Sequence, residues 1–288
     1  MGITIRAGRL VIFLWHNSMI ALRVGVALFV LALILLLTRR RRLEYQPYLL
    51  TLENSTKRRQ AFFHRYDQHG IPIDVVYGVD TKKVENARAF ESSVDSRYMK
   101  KAVEMHYNHN TPRPDITYFN LGAIGAMQGH LSVFERARAS GVKYALVMED
   151  NVMVNDPSFF AEIQKAIDAL KDDFELVFFH SLSRFPDREG HLPGYEKIRW
   201  ISSMKCYLMH VPNMERYVSK FLPQDNHIDH KVEDLIADGA RVFYRDLRHL
   251  ISINRSTSST IGHSKHDNPD FFSRQFPDAS ASELSGGY

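Results

Sequence analysis

The stretch Lys143-Tyr144-Ala145-Leu146-Val147-Met148-Glu149-Asp150-Asn151-Val152 sets five apolar residues against two carboxylates and an amide. Five residues is strand length, and a continuous rather than alternating run reads as a strand buried on both faces. Such strands belong to α/β folds, whose sheets are covered by helices. Ligands of open α/β sheets bind beyond the carboxyl ends of the strands, so Glu149, Asp150 and Asn151 stand where a substrate is expected. Adjacent carboxylates repel one another unless a cation lies between them. A hard divalent ion with oxygen ligands is the natural partner there for a diphosphate group. The plain alternative is a strand-to-turn junction, where Glu, Asp and Asn are common.

Outward from this stretch, strands and helices alternate. Upstream, Ile124, Met127, Leu131, Phe134 and Ala137 recur at helical spacing over 121–140, with Gly122, Gly125 and Gly129 along one edge for close packing. Further back, a short strand at 47–52, a helix at 57–69 with Phe62, Phe63 and Tyr66 on its inner side, and a strand at 73–79 make a βαβ unit. The polar segment 81–117 reads as a weak helix followed by a long loop. Downstream the pattern predicts a helix over 159–170, strands at 176–179 and 201–209, helices at 214–221 and 228–237, and a last strand at 242–244.

The N-terminus is of another kind. Residues 10–38 are almost wholly apolar, interrupted by His16, Asn17 and Arg23, and Arg39 to Arg42 follow at once. A bilayer core needs roughly 20 apolar residues, and a tetra-arginine flank fits an uncleaved single-pass anchor rather than a signal-peptide cleavage site. The expected organisation is a short tail at 1–9, an anchor at 10–38, a basic juxtamembrane linker at 39–46, a catalytic domain at 47–270 and a flexible tail at 271–288. The arginine block points the domain to the cytosolic face by the positive-inside rule, whereas a type II arrangement puts it in the Golgi or ER lumen. Without those four arginines the net charge of +4 falls to near neutral, which argues against a nucleic-acid partner. The single cysteine, Cys206, excludes an intramolecular disulfide framework.

Three blocks resemble glycosyltransferase family 25, the lipopolysaccharide-biosynthesis and procollagen galactosyltransferases. Tyr48-Leu49-Leu50-Thr51-Leu52-Glu53-Asn54-Ser55-Thr56-Lys57-Arg58-Arg59 is similar to the family's opening strand. Gly122 to His130 together with 142–152 resembles its central helix and acidic strand end, and Ile228-Asp229-His230 resembles a later element. The resemblance implies a GT-A-like, Rossmann-like nucleotide-sugar-binding domain with a mixed central sheet. It also implies a UDP-sugar donor, a divalent cation, typically manganese, and inverting transfer of a hexose, galactose first, to a glycan, a lipid-linked sugar or a protein.

Carried over residue by residue, it assigns Asp150 and Asn151 to the cation, and Thr51, Asn54, Arg58 or Arg59, and His130 to the donor. Asp229 becomes the first choice of base for the acceptor hydroxyl, with Glu149 as the second catalytic carboxylate. Thr51, Ala123, Ala126, Gly129 and Asn151 depart from the family pattern, and Asn151 removes a formal charge at the expected metal site. The resemblance is therefore to a divergent member, and a catalytically inactive, membrane-tethered binding protein of the same fold is the alternative. A rival constellation, His227, His230 and Asp234, has the spacing of one helix face and suggests a metal-dependent hydrolase.

Overall fold

The computed structural model describes residues 43–107, 119–187 and 192–254. The expected anchor at 10–38, the arginine block, part of the long loop within 81–117, and the tail at 271–288 lie outside the described residues. Among the described residues no helix is long and apolar enough to cross a membrane. The elements below belong to one compact unit that starts at Glu44. Its first strand begins at Tyr45, inside the linker expected at 39–46.

The opening βαβ unit comprises β1 (Tyr45–Leu52), α1 (Thr56–Tyr66) and β2 (Asp74–Gly78). β1 and β2 pair in parallel, with Tyr48 opposite Asp74. In α1 the buried positions are Arg58, Phe62 and Tyr66, spaced by four so that they fall on one stripe. The Phe62 and Tyr66 rings stack at 5.2 Å, and Phe63 is only partly buried. This stripe carries Arg58 to the inner side and leaves Arg59 at the surface, its Nη1 donating to the carbonyls of Leu52 and Glu53.

Where the sequence predicts a weak helix and a loop, the chain forms α2 (Val84–Arg88), a 3-10 turn (Glu91–Ser93) and α3 (Ser96–Tyr107). Polar residues dominate this segment, yet Ala87, Val94, Met99 and Ala102 are buried with Phe119, Leu121, Ala123 and Ile124 in a separate small core. Their spacings of seven, five and three residues are too irregular to stand out from the charged background.

Helix α4 (Leu121–Ala139) is capped by Asn120, whose side chain accepts from the Ala123 N–H. Its glycines bring it against the sheet. A Cβ on Gly125 would lie 2.5 Å from Thr81 Oγ1 and 2.8 Å from the Val79 carbonyl, and one on Gly129 would lie 3.0 Å from Leu50. Thr81 is itself a joint, its Oγ1 donating to the Leu121 carbonyl and accepting from the Gly125 N–H. Gly125→Ala is expected to cost about 1–3 kcal/mol through overpacking, measurable by denaturant unfolding. A neutral outcome would mean that the loop after β2 yields freely.

β3 (Tyr144–Glu149) runs parallel to β1 on the side away from β2. The chain goes on through β4 (Val152–Val154), α5 (Ser158–Leu170), β5 (Leu176–Phe178), β6 (Ser183–Pro186), β7 (Glu196–Ser202) and β8 (Cys206–His210). α6 (Val211–Met214), α7 (Ile228–Ala237), β9 (Val242–Tyr244) and β10 (Ile251–Ile253) complete it. Eight strands form a mixed sheet in the order β2-β1-β3-β8-β5-β9-β7-β6, and β10 pairs with β4 beside it.

The single strand expected at 201–209 is two strands joined by a tight turn. Ser203 sits at φ 92°, a conformation that sequence signals associate with glycine, while buried Met204 keeps the hydropathy continuous across the turn. The helix expected at 214–221 is likewise split, into α6 and a 3-10 turn at Val218–Phe221.

Candidate active site at the ends of β1, β2 and β3

From β1 the chain crosses to β2 on one side, then returns to place β3 on the other, so β1 and β3 flank the point where strand order reverses. The carboxyl ends of strands splay apart at such a switch point and leave a crevice. A cleft of about 570 Å³, part of it open to solvent, lies there. Leu50 to Leu52 of β1, residues 78–82 after β2, the glycine edge of α4, and Glu149 and Asp150 of β3 line it.

Asp150 is 4% exposed. One of its carboxylate oxygens lies 2.5 Å from Arg58 Nη2, and the other accepts from Thr51 Oγ1 at 2.7 Å. Burial pushes the Asp150 carboxyl above its ordinary value and the neighbouring Glu149 charge adds to that, against the opposing pull of Arg58 and Thr51. Arg58 is 8% exposed, and its Nε is buried with no acceptor among the described residues.

Glu149 keeps about a fifth of its side chain exposed. Its Oε1 lies 3.6 Å from His130 Nε2, longer than a hydrogen bond, so the contact acts through charge and dipole. Burial works to raise the Glu149 carboxyl, but His130, Lys205 and Arg58 together outweigh it and hold the group below its ordinary value. On its far side His130 Nδ1 lies 2.9 Å from Tyr207 Oη. Burial holds that phenol far above its ordinary value, hence protonated. With Tyr207 donating to Nδ1, the Nε2–H of His130 turns the positive end of its dipole toward the Glu149 carboxylate.

The remaining expected residues fall at different distances from the cleft. Asn54 sits at the rim, its Nδ2 donating to Asp80, a lining residue. Arg59 is absent from the lining and instead lies over the Tyr77 ring at 5.5 Å. Asn151 is also off the lining; its Oδ1 is buried without a partner among the described residues, and its carbonyl accepts from the Asn254 N–H.

Asp229 does not line the cleft. Both of its oxygens accept backbone N–H groups, from Ser203 at 2.9 Å and His230 at 3.1 Å. Burial opposes its ionisation, but the His227 and His230 charges and those N–H groups hold the carboxyl below its ordinary value. The residue therefore fixes the left-handed turn that presents Lys205. A group with a depressed folded-state pKa contributes stability above its unfolded value, about 4 for aspartate, and loses it as pH falls through the folded value. Asp229→Asn is accordingly expected to cost about 1–3 kcal/mol at neutral pH, with the deficit shrinking below pH 4 as the wild type loses the same contribution. A pH-independent deficit in urea unfolding would show that the charge is not what matters.

Lys205 and Tyr207 escape a sequence reading, because the antiparallel pairing of β8 with β3 sets Tyr207 opposite Val147 and the Lys205 carbonyl on the Glu149 N–H, and no local pattern announces it. Asp80 and Thr81 follow a strand, and the switch-point logic applied to β2 would have found them. The hydrolase constellation is not assembled: Asp234 pairs with Lys231 at 2.8 Å, and no group of three or more His, Cys, Asp or Glu residues suited to a metal ion occurs among the described residues.

A resident divalent ion does not fit the residues present. Each Asp150 oxygen already has a partner, one of them a guanidinium, and Asn151 Oδ1, the other expected ligand, is buried away from the cleft lining.

Residues 45–198, more than half of the chain, match the family profile described as "Glycosyltransferase family 25 (LPS biosynthesis protein)". That match takes in every residue that lines the charged cleft. The chain belongs to glycosyltransferase family 25. A "Glycosyltransferase 25 family member" of Aedes aegypti is 20% identical over 191 residues, 63% of this chain. The match takes in only 30% of that relative's length.

Solved structures similar to this chain include a glycosyltransferase involved in glycosylation of the major capsid of PBCV-1, at 11% identity and TM-score 0.39, covering 74% of this chain and 94% of that one. A UTP-bound UGPase from Acinetobacter baumannii is similar at 10% identity and TM-score 0.40, covering 82% and 99%. A UDP-glucose pyrophosphorylase complexed with UDP-glucose stands at 12% and 0.37, covering 70% and 90%.

Proposed function

We propose that the protein transfers a hexose, galactose first, from a UDP-sugar to a hydroxyl of a glycan, a lipid-linked sugar or a protein, with inversion at the anomeric carbon, while held to a membrane through residues 10–38. The observation that carries this reading is the cleft at the β1/β3 switch point, which sets an ionised carboxylate, Glu149, beside an arginine that has a buried donor to spare.

In the proposed step the acceptor oxygen attacks the anomeric carbon from the face opposite the diphosphate. Its proton passes to Glu149, and the bond from the anomeric carbon to the phosphate oxygen breaks, leaving its electron pair on UDP. Glu149 suits the base role better than Asp229, because it lines the cleft and keeps exposed surface. Arg58 meets the charge that grows on the leaving diphosphate. His130, positioned by Tyr207, orients Glu149, and Lys205 keeps it ionised.

Melting the full-length chain in detergent tests the donor site. UDP at about 100 times its dissociation constant should add roughly 2.7 kcal/mol of stability, and UDP-galactose with an acceptor should release UDP. Stabilisation by UDP without release of UDP from any UDP-sugar would favour the inactive binding protein. No stabilisation at all would remove the donor site from the proposal. Protease protection of 44–254 in sealed vesicles assigns the domain to the lumen or to the cytosolic face.

A further inference from the structure

We propose that the Arg58 guanidinium already neutralises Asp150 at the end of β3, so that a nucleoside diphosphate enters this cleft without a resident divalent ion and is met by Arg58. The inference rests on the reading of the cleft as the donor site. It departs from the manganese requirement that the family resemblance implies, and it is drawn from how the side chains are paired.

Divalent ions are recruited to adjacent carboxylates because those charges lack other partners. Here the more deeply buried of the two, Asp150, has them. Asp150 lies against Arg58 at 2.5 Å and Thr51 at 2.7 Å. Glu149 lies beside His130, and the charge of Lys205 acts on it. Asp150 thus faces a full cation at ion-pair distance, and a doubly charged ion there would stand next to a guanidinium that repels it. Arg58 does not withdraw easily, since it shares the buried stripe of α1 with Phe62 and Tyr66.

Arg58 also has capacity to act on a ligand. Its Nε–H is a buried donor with no acceptor among the described residues, an arrangement that costs stability until an acceptor arrives. A phosphate oxygen that draws the guanidinium toward the cleft satisfies this donor, and the planar fork of arginine matches phosphate geometry while its other edge stays on Asp150.

The test uses the full-length chain in detergent with two probes, manganese alone and UDP. Manganese titrated onto the nucleotide-free protein, followed by the electron paramagnetic resonance of the free ion, is expected to show no uptake; one ion bound per chain overturns the inference. UDP binding measured by calorimetry is expected to agree within about twofold between EDTA and manganese buffers. A gain of about tenfold or more with manganese, equivalent to about 1.4 kcal/mol, also overturns it. Arg58→Lys keeps the positive charge but lacks the guanidinium fork and Nε–H, and is expected to weaken UDP about tenfold in EDTA; unchanged affinity counts against Arg58 as the phosphate donor. UDP binding in neither buffer ends the donor reading itself, whereas binding only with manganese ends this inference and leaves that reading intact.

Discussion

Glu149→Gln is expected to lower kcat for sugar transfer by about 100- to 10,000-fold, the range that a positioned general base supplies, with little change in the KM for the donor. Glutamine keeps the shape of the side chain beside the Nε2–H of His130, but it takes up no proton from the acceptor. The pH profile gives a second readout. His130, Lys205 and Arg58 together outweigh burial and hold the Glu149 carboxyl below its ordinary value, which for glutamate is about 4.3. The group is therefore ionised throughout the neutral and mildly acidic range, and the acid limb of kcat should fall only below that value. Tyr207→Phe removes the hydroxyl that fixes the His130 tautomer and should shift this limb, which a merely structural tyrosine would not do. A loss under tenfold in Glu149→Gln, together with near-complete loss in Asp229→Asn, would move the base role to Asp229.

How much of this site could be read in advance follows from which interactions are local. The buried β3 run and its acidic end are encoded in ten consecutive residues, and so are the βαβ opening and the glycine edge of α4. The choice between Arg58 and Arg59 was also available in principle, because positions 58, 62 and 66 share one helical stripe. What stayed hidden depends on pairing between distant segments. Ser203 adopts a glycine-like backbone because Asp229, 26 residues on, accepts its N–H, so no turn signal marks the break between β7 and β8. The resemblance of Asp229 to a later acidic element implies a base; the residue keeps its charge but applies it to a turn. Lys205 and Tyr207 are conspicuous only once β8 is laid against β3.

Arg58→Met is expected to destabilise the protein by about 3–5 kcal/mol, since removing one partner of a buried ion pair leaves the other charge uncompensated. At about 2–4 °C per kcal/mol for a domain of this size, the melting temperature should fall by roughly 6–20 °C. The double substitution Arg58→Met with Asp150→Asn should recover most of that loss, because it removes the stranded charge and leaves an amide oxygen for the Thr51 hydroxyl. The pH dependence has a definite sign. The Asp150 carboxyl is already raised, by burial first, with Arg58 pulling against it, so losing Arg58 raises it further. An acid with a raised folded-state pKa contributes stability that is present below its unfolded value and lost as pH rises through the folded one. The Arg58→Met deficit should therefore be largest at neutral pH and shrink toward pH 4, as the variant binds the proton that replaces the guanidinium. The Asp229→Asn deficit shrinks in acid for the opposite reason, because there the wild type loses its own contribution. Stability curves for the two single variants and the double, measured from pH 4 to 8, separate these causes. A small, pH-independent cost for Arg58→Met would mean that Asp150 already has water or another cation to turn to, which would reopen the site to a metal.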